Sequence, residues 1–195
     1  MSIAIRLATP ADAEAVAAIY GPYCTDSRIS FEEEAPSVRE MARRMAGERP
    51  GFHPWYVAEA EGAIVGYAAS SPFRTRPAYR WSVETGIYLA PGRGGQGMGK
   101  ALLETLLSTL EGQGYVSAIG AIALPNPASI ALHEKLGFEQ VGTYRGTGFK
   151  HGQWLDVGLW QKGLAPRTDR PAEPMPIPMS FLPTEVDHGI STGRG

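Results

Sequence analysis

Apolar residues along this chain fall into short runs whose spacing switches between strand-like and helix-like. Ile3 to Leu7 is a short β-like run, closed by Thr9-Pro10, which opens an alanine-rich helix to about Tyr20. In APSVREMARRMAGE, Ser37 and Glu40 stand in capping-box register ahead of a helix with Val38, Met41 and Met45 along one side. WYVAEAEGAIVGYAASS reads as two strands joined at Glu61-Gly62, and WSVETGIYL as another strand that ends at Pro91. Met98, Ala101, Leu102, Leu106 and Leu110 then repeat at helical spacing, which predicts a helix from Gly97 to Leu110. Tyr115 to Leu124 is almost uninterruptedly apolar, as a strand covered on both faces should be. LPNPASIALHEKLGF spells a further helix, with Asn126 as N-cap, Pro127 in first position and Gly137 as the stop. Strands around Glu139–Tyr144 and Trp154–Gln161 complete the series.

Strand, glycine loop, helix, parallel strand and helix, with antiparallel partners before and after, predict an α/β or α+β fold. Its core would be a central mixed sheet flanked by helices. Residues 1–163 form the expected domain. From Leu164 the chain carries six prolines and no period, so residues 164–195 read as a proline-rich, extended or partly disordered tail.

Composition narrows the function classes. The 195 residues suit one domain with a core, and 43% hydrophobic with 19% charged residues is ordinary for a globule. A net charge of −2, with both signs interspersed, gives no footprint for nucleic acid or an anionic membrane. One cysteine, Cys24, excludes an intrachain disulfide and fits a reducing cytoplasm; with no base beside it in sequence, it reads as a small buried thiol. The N-terminus lacks a secretion signal and no run is long enough to span a bilayer, so a cytoplasmic protein is expected.

The candidate chemistry begins in YLAPGRGGQGMGK, where glycines at 92, 94, 95, 97 and 99 lead into a helix. Such a loop aims backbone N–H groups at an anion. Gly94, Gly99 and Lys100 satisfy the spacing of a P-loop, but Ala101 stands where the magnesium-binding hydroxyl belongs. Gly92, Gly94 and Gly97 satisfy a dinucleotide loop, yet the next strand, YVSAIGAIAL, has no acid for a ribose. Pro91-x-x-x-Gly95-x-Gly97-x-Gly99 before an apolar helix suits a coenzyme A pyrophosphate, which needs no metal. A tight strand-to-helix turn is the bland alternative, and it requires fewer glycines.

That loop resembles the acetyl-CoA loop of the GCN5-related N-acetyltransferases, with Gly94 where the family places Arg or Gln and Arg93 next to it. SPFRTRPAYRWSVETGIYL, LPNPASIALHEKLGF, GFKHGQWLDVGLWQ and ISFEEEAPS are similar to the phosphinothricin N-acetyltransferase family within it, over nearly all of residues 3–163. The resemblance implies the N-acetyltransferase fold, acetyl-CoA as cosubstrate, a small amine or amino-acid substrate such as phosphinothricin or methionine sulfoximine, and a homodimer. It implies that Ile87, Tyr88 and Leu89 and the loop residues Gly94, Gly95, Gln96, Gly97, Met98, Gly99 and Lys100 bind the cofactor. Asn126 and Ser129 would reach its pantetheine arm, unless they only cap a helix.

An α-amine must lose a proton before it attacks a thioester. Glu84, just before the glycine loop, is the candidate base, since the family holds its base there; its rival role is an exposed strand glutamate. The backbone N–H of Tyr88 or Leu89 would face the developing oxyanion. His133 stands where many relatives carry a tyrosine acid; it would donate a proton near the thiolate, only hydrogen-bond, or merely pack. Arg74 and Arg76 would bind the substrate's anionic groups, with Phe31, Tyr79 and Tyr88 as pocket walls, or form a solvated face. Lys150 and His151 belong to the expected pocket rim. Two other readings compete: acetylation of a different amine such as a protein N-terminus, and a non-catalytic acetyl-CoA-binding protein, against which Glu84 argues.

Overall fold

The computed structural model of the protein describes residues 3–177. Its elements are β1 (Ile3–Leu7), α1 (Ala13–Thr25), α2 (Val38–Ala46), β2 (Trp55–Ala60), β3 (Ala63–Pro72), β4 (Ser82–Leu89), α3 (Met98–Gly112), β5 (Ser117–Ala123), α4 (Pro127–Lys135), β6 (Glu139–Lys150) and β7 (Gln153–Gly163). The strands make one mixed sheet in the order β1-β2-β3-β4-β5-β7-β6, in which β4–β5 is the parallel pair. This is the expected mixed sheet flanked by helices.

Period-two alternation divides each inner strand between two cores. Tyr56, Ala58, Val83, Ala118 and Ile122 face α3, whose Leu102, Leu103, Leu106 and Leu110 are fully buried. Val57 and Tyr67 face the other way, onto Val16, Ile19 and Tyr20 of α1 and Met41 of α2. Glu61 and Gly62, both at positive φ, turn the β2–β3 hairpin between the paired Ala60 and Ala63.

Several boundaries depart from the sequence reading. α1 runs on past Tyr20 to Thr25 with Pro22 inside it, because its apolar face is held by the sheet beyond the point where local signals stop. In α2 the side chain of Met41 is buried, whereas Val38 is 49% exposed. Ser37 Oγ accepts from Glu40 N–H at 3.2 Å, but the Glu40 carboxylate turns to Arg43 and Arg44, so half of the capping box forms. β6 continues through Lys150 and joins β7 across His151-Gly152, both at positive φ. β6 is largely exposed on both faces, so it carries no hydrophobic period to read.

Residues 164–177 have no helix or strand and lie along the body. Leu164 N–H donates to Val116 O, Met175 N–H to Gln113 O, and Ile177 N–H to Gly51 O, all within 2.8–2.9 Å. Trp81 Nε1 donates to Ala172 O at 2.7 Å. The remainder of the expected tail, 178–195, lies outside the described residues.

Candidate active site

The sheet itself opens a cleft. β4 and β5 pair only at Ser82–Ser117, Val83–Ala118 and Glu84–Ile119, then diverge. Ala90 N–H donates to Val65 O in the unbroken β3–β4 register. Strand alternation therefore turns the N–H of Tyr88 towards β3 and those of Ile87 and Leu89 towards the cleft. On the far side, Leu124 N–H donates to Asp156 O of the β7 chain segment, so the backbone groups of Ala121 and Ala123 face the cleft as well. Two strand edges thus confront each other without pairing, which suits an extended ligand with amide groups.

The cleft leads into a cavity of about 520 Å³ that runs from Thr85 and Tyr88 to the glycine loop. Gly92, Gly95 and Gly97 adopt positive φ, and Gly97 is the N-cap of α3 at φ 78°. Among the described residues no side chain caps α3, and no acid occupies its first turn, so its N–H groups and positive dipole end suit an anion. Gly94, Gly95, Gly97, Gly99 and Lys100 line the cavity, and Lys100 Nζ lies 2.8 Å from Glu104. Gly99 lets α3 pack closely, with Leu132, Ile87 and Leu89 only 3.4–3.7 Å from where a Cβ would stand. Met98 is 1% exposed with its side chain in the core, so its backbone alone can serve the loop. Gln96 is exposed and stands off the cavity wall.

A second cavity of about 470 Å³ adjoins the first and shares Ile29, Tyr88, Ala121 and Ala123 with it. Glu84 lines this one, at the last paired position before the strands part. Burial pushes its carboxyl above the ordinary carboxylate range, while the nearby Arg74 guanidinium pulls it back. Phe31 forms another wall, together with Tyr20, Ser30 and Glu32.

His133 is 3% exposed and lines the first cavity. Its Nδ1 lies 2.8 Å from Ser129 O; a carbonyl only accepts, so Nδ1 carries the proton and Nε2 is the acceptor of the neutral ring. Nε2 has no hydrogen-bond partner among the described residues and packs against Gly120, where a Cβ would lie 2.8 Å from it. Burial lowers the pKa of His133, with the Ser129 carbonyl opposing, which favours that neutral ring. Asn126 caps α4 by accepting Ser129 N–H at 3.2 Å, and both residues line the cavity, so capping and lining coexist.

Arg74, Arg76 and Tyr79 are exposed and line neither cavity. Arg74 Nη2 reaches Tyr144 Oη at 3.3 Å, Arg76 precedes the short 3-10 turn Pro77–Tyr79, and Tyr79 packs edge-on to Phe73. Lys150, expected at the rim, is buried instead, with its ammonium on backbone carbonyls of α1 and the following segment. The sequence reading missed Tyr20, Tyr23, Ile29 and Glu32. Tyr23 Oη donates to Leu89 O at 2.7 Å and packs edge-on to Tyr88. The i, i+3 spacing of Tyr20 and Tyr23 carries a helical signal, hidden by ending α1 too early.

The chain matches the acetyltransferase (GNAT) domain family over residues 5–159. It is 38% identical to a phosphinothricin N-acetyltransferase of Streptomyces viridochromogenes, over 90% of this chain and 93% of that protein. It is 33% identical to an L-methionine sulfoximine/L-methionine sulfone acetyltransferase of Pseudomonas paraeruginosa, over 88% of this chain and all of that protein. The crystal structure of a phosphinothricin acetyltransferase from Sinorhizobium meliloti in complex with AcCoA superposes with a TM-score of 0.84, at 42% identity over 89% of this chain and 95% of that one.

Proposed function

The chain belongs to the GNAT acetyltransferase family and is an N-acetyltransferase. From that premise we propose that it transfers the acetyl group of acetyl-CoA to the α-amino group of phosphinothricin, methionine sulfoximine or a similar small amino acid. The observation that carries the reading is the junction of the two cavities, one walled by the glycine loop and the other by Glu84.

Acetyl-CoA supplies the electrophile, a thioester carbonyl. The backbone of Gly95, Gly97, Met98 and Gly99 with the ammonium of Lys100 would hold its pyrophosphate at the uncapped end of α3. The cleft-facing edges at Ile87 and Leu89, with Asn126 and Ser129 on the opposite wall, suit the pantetheine amides. Glu84 takes a proton from the bound α-ammonium, directly or through water, and its raised affinity for protons suits that task. Leu89 N–H, turned into the cleft, donates to the carbonyl oxygen as negative charge builds there, whereas Tyr88 N–H faces β3. His133 borders the cavity as a neutral ring with Nε2 packed against Gly120, a packing role rather than that of a charged acid.

Arg74, close enough to influence Glu84, is the better placed of the two arginines for the substrate's anionic groups. The proposal includes a homodimer, supported by the exposed apolar residues Val141, Phe149 and Trp154 on the β6–β7 hairpin, and sedimentation velocity tests it.

The test is free-thiol release from acetyl-CoA with phosphinothricin or methionine sulfoximine. Glu84→Gln is expected to lower kcat by about a hundredfold or more with the Kd for acetyl-CoA unchanged. Turnover that survives this substitution removes Glu84 from its role. Turnover of N-terminal peptides in place of amino acids reassigns the substrate.

A further inference from the structure

We propose that Lys150 is a positioning residue for the amine site. Its ammonium ties the end of β6 to the acceptor-cavity wall formed by Ile29, Ser30, Phe31 and Glu32. The inference rests on reading that cavity as the site of the amine.

The wall belongs to residues 26–37, which contain no helix or strand, so no ladder of backbone hydrogen bonds holds them. Lys150 is 5% exposed, and its Nζ donates to Cys24 O at 2.5 Å and to Ser30 O and Glu32 O at 2.7 Å each. An ammonium has three N–H donors, and these three carbonyls are its close partners, with Tyr23 O a longer 3.5 Å away. Cys24 O belongs to the last turn of α1, where helix carbonyls lack intrahelical partners and the dipole end is negative. One charge therefore closes a helix end and pins two residues of the cavity wall.

A second contact repeats the arrangement. The Phe31 ring lies over Gly148, two residues before Lys150, so closely that a Cβ at Gly148 would clash with the ring. Tyr20 Oη also lies 2.7 Å from Ser30 Oγ, and Arg44 pairs with Glu32 at 2.7 Å, fixing the side chains of the same segment. What Lys150 adds is the backbone. Without it Cys24 O, Ser30 O and Glu32 O would lie buried and unpaired, which the segment can relieve only by opening to water.

The test is Lys150→Met, which keeps the apolar stem and removes the donors. The expected result is a KM for the amino-acid substrate raised about tenfold with the KM for acetyl-CoA within about twofold of wild type. Amide hydrogen exchange should quicken in residues 26–34 and not in α3. A mere loss of stability would instead raise exchange throughout and leave the two KM values in step. Gly148→Ala, which displaces Phe31 from the other side, should raise the same KM. If Lys150→Met does not fold, Lys150→Arg carries the same expectation at about threefold, because a planar fork cannot address three converging carbonyls as an ammonium does.

Unchanged exchange in 26–34 overturns the proposal whatever amine the enzyme uses. Faster exchange there with an unchanged amine KM overturns its link to the amine site. Absence of wild-type turnover with every amino acid would count against the substrate reading, while exchange still decides whether Lys150 holds the wall.

Discussion

Glu84 takes its character from one register position. Upstream of it β4 and β5 are paired; downstream they part, so its carboxylate borders the cleft while its strand is still fixed. Burial raises its pKa, so the folded chain keeps this proton to higher pH than the unfolded chain does. The sign follows from linkage: the native state binds the extra proton, so stability falls as pH rises from the ordinary carboxylate range through the raised value. Glu84→Gln should therefore melt above wild type at about pH 8 and close to it at about pH 4, a comparison made by thermal denaturation. In wild type, kcat/KM should rise with pH through one ionisation above the usual carboxylate range. His133 differs, being held neutral with its proton on the Ser129 side. His133→Asn is expected to lower kcat at least about tenfold less than Glu84→Gln, and an equal loss would restore the histidine as an acid.

Among the elements, α3 and the loop before it were the most legible, since glycine spacing and a strong helical period act locally. Gly97 at φ 78° is where that legibility can be tested. Gly97→Ala is expected to destabilise by about 1–2 kcal/mol, the penalty of a Cβ in the left-handed region, and to weaken acetyl-CoA binding. Urea unfolding and calorimetric titration read the two effects; unaltered affinity would show that the loop's backbone does not hold the pyrophosphate. β6 is the counterexample. Its length comes from pairing with β7 rather than from its own pattern, and Glu139–Tyr144 therefore understated it. The same blindness concealed Lys150, whose partners lie more than a hundred residues away.

For the whole molecule, the segment after Leu164 closes over the end of α3. Gln113 is fully buried, and its Nε2 donates its two hydrogens to Gly51 O at 2.8 Å and Met175 O at 2.9 Å, with Phe52 O sharing at 3.2 Å, joining the loop before β2 to this segment. The exposed Arg80–Glu173 pair adds little beside that, as solvent screens it. Truncation after Leu164 should lower stability by about 1–3 kcal/mol through the lost hydrogen bonds, measured by urea unfolding, and leave kcat unchanged because the segment lines neither cavity described above. An unchanged midpoint would make the segment a passenger.

From the amino-acid sequence alone came the order of elements, the mixed sheet, the glycine loop ahead of α3 and the carboxylate on the strand before it. Each is written in local terms: period, caps, glycines and residues adjacent in sequence. The tertiary structure alone decided that β4 and β5 separate after Glu84, which of Tyr88 and Leu89 turns its N–H into the cleft, and that two cavities meet between Ile29, Tyr88, Ala121 and Ala123. It also decided that Lys150 is a buried tie and not a rim residue. These depend on register and on hydrogen bonds between residues distant along the chain, for which no local pattern exists.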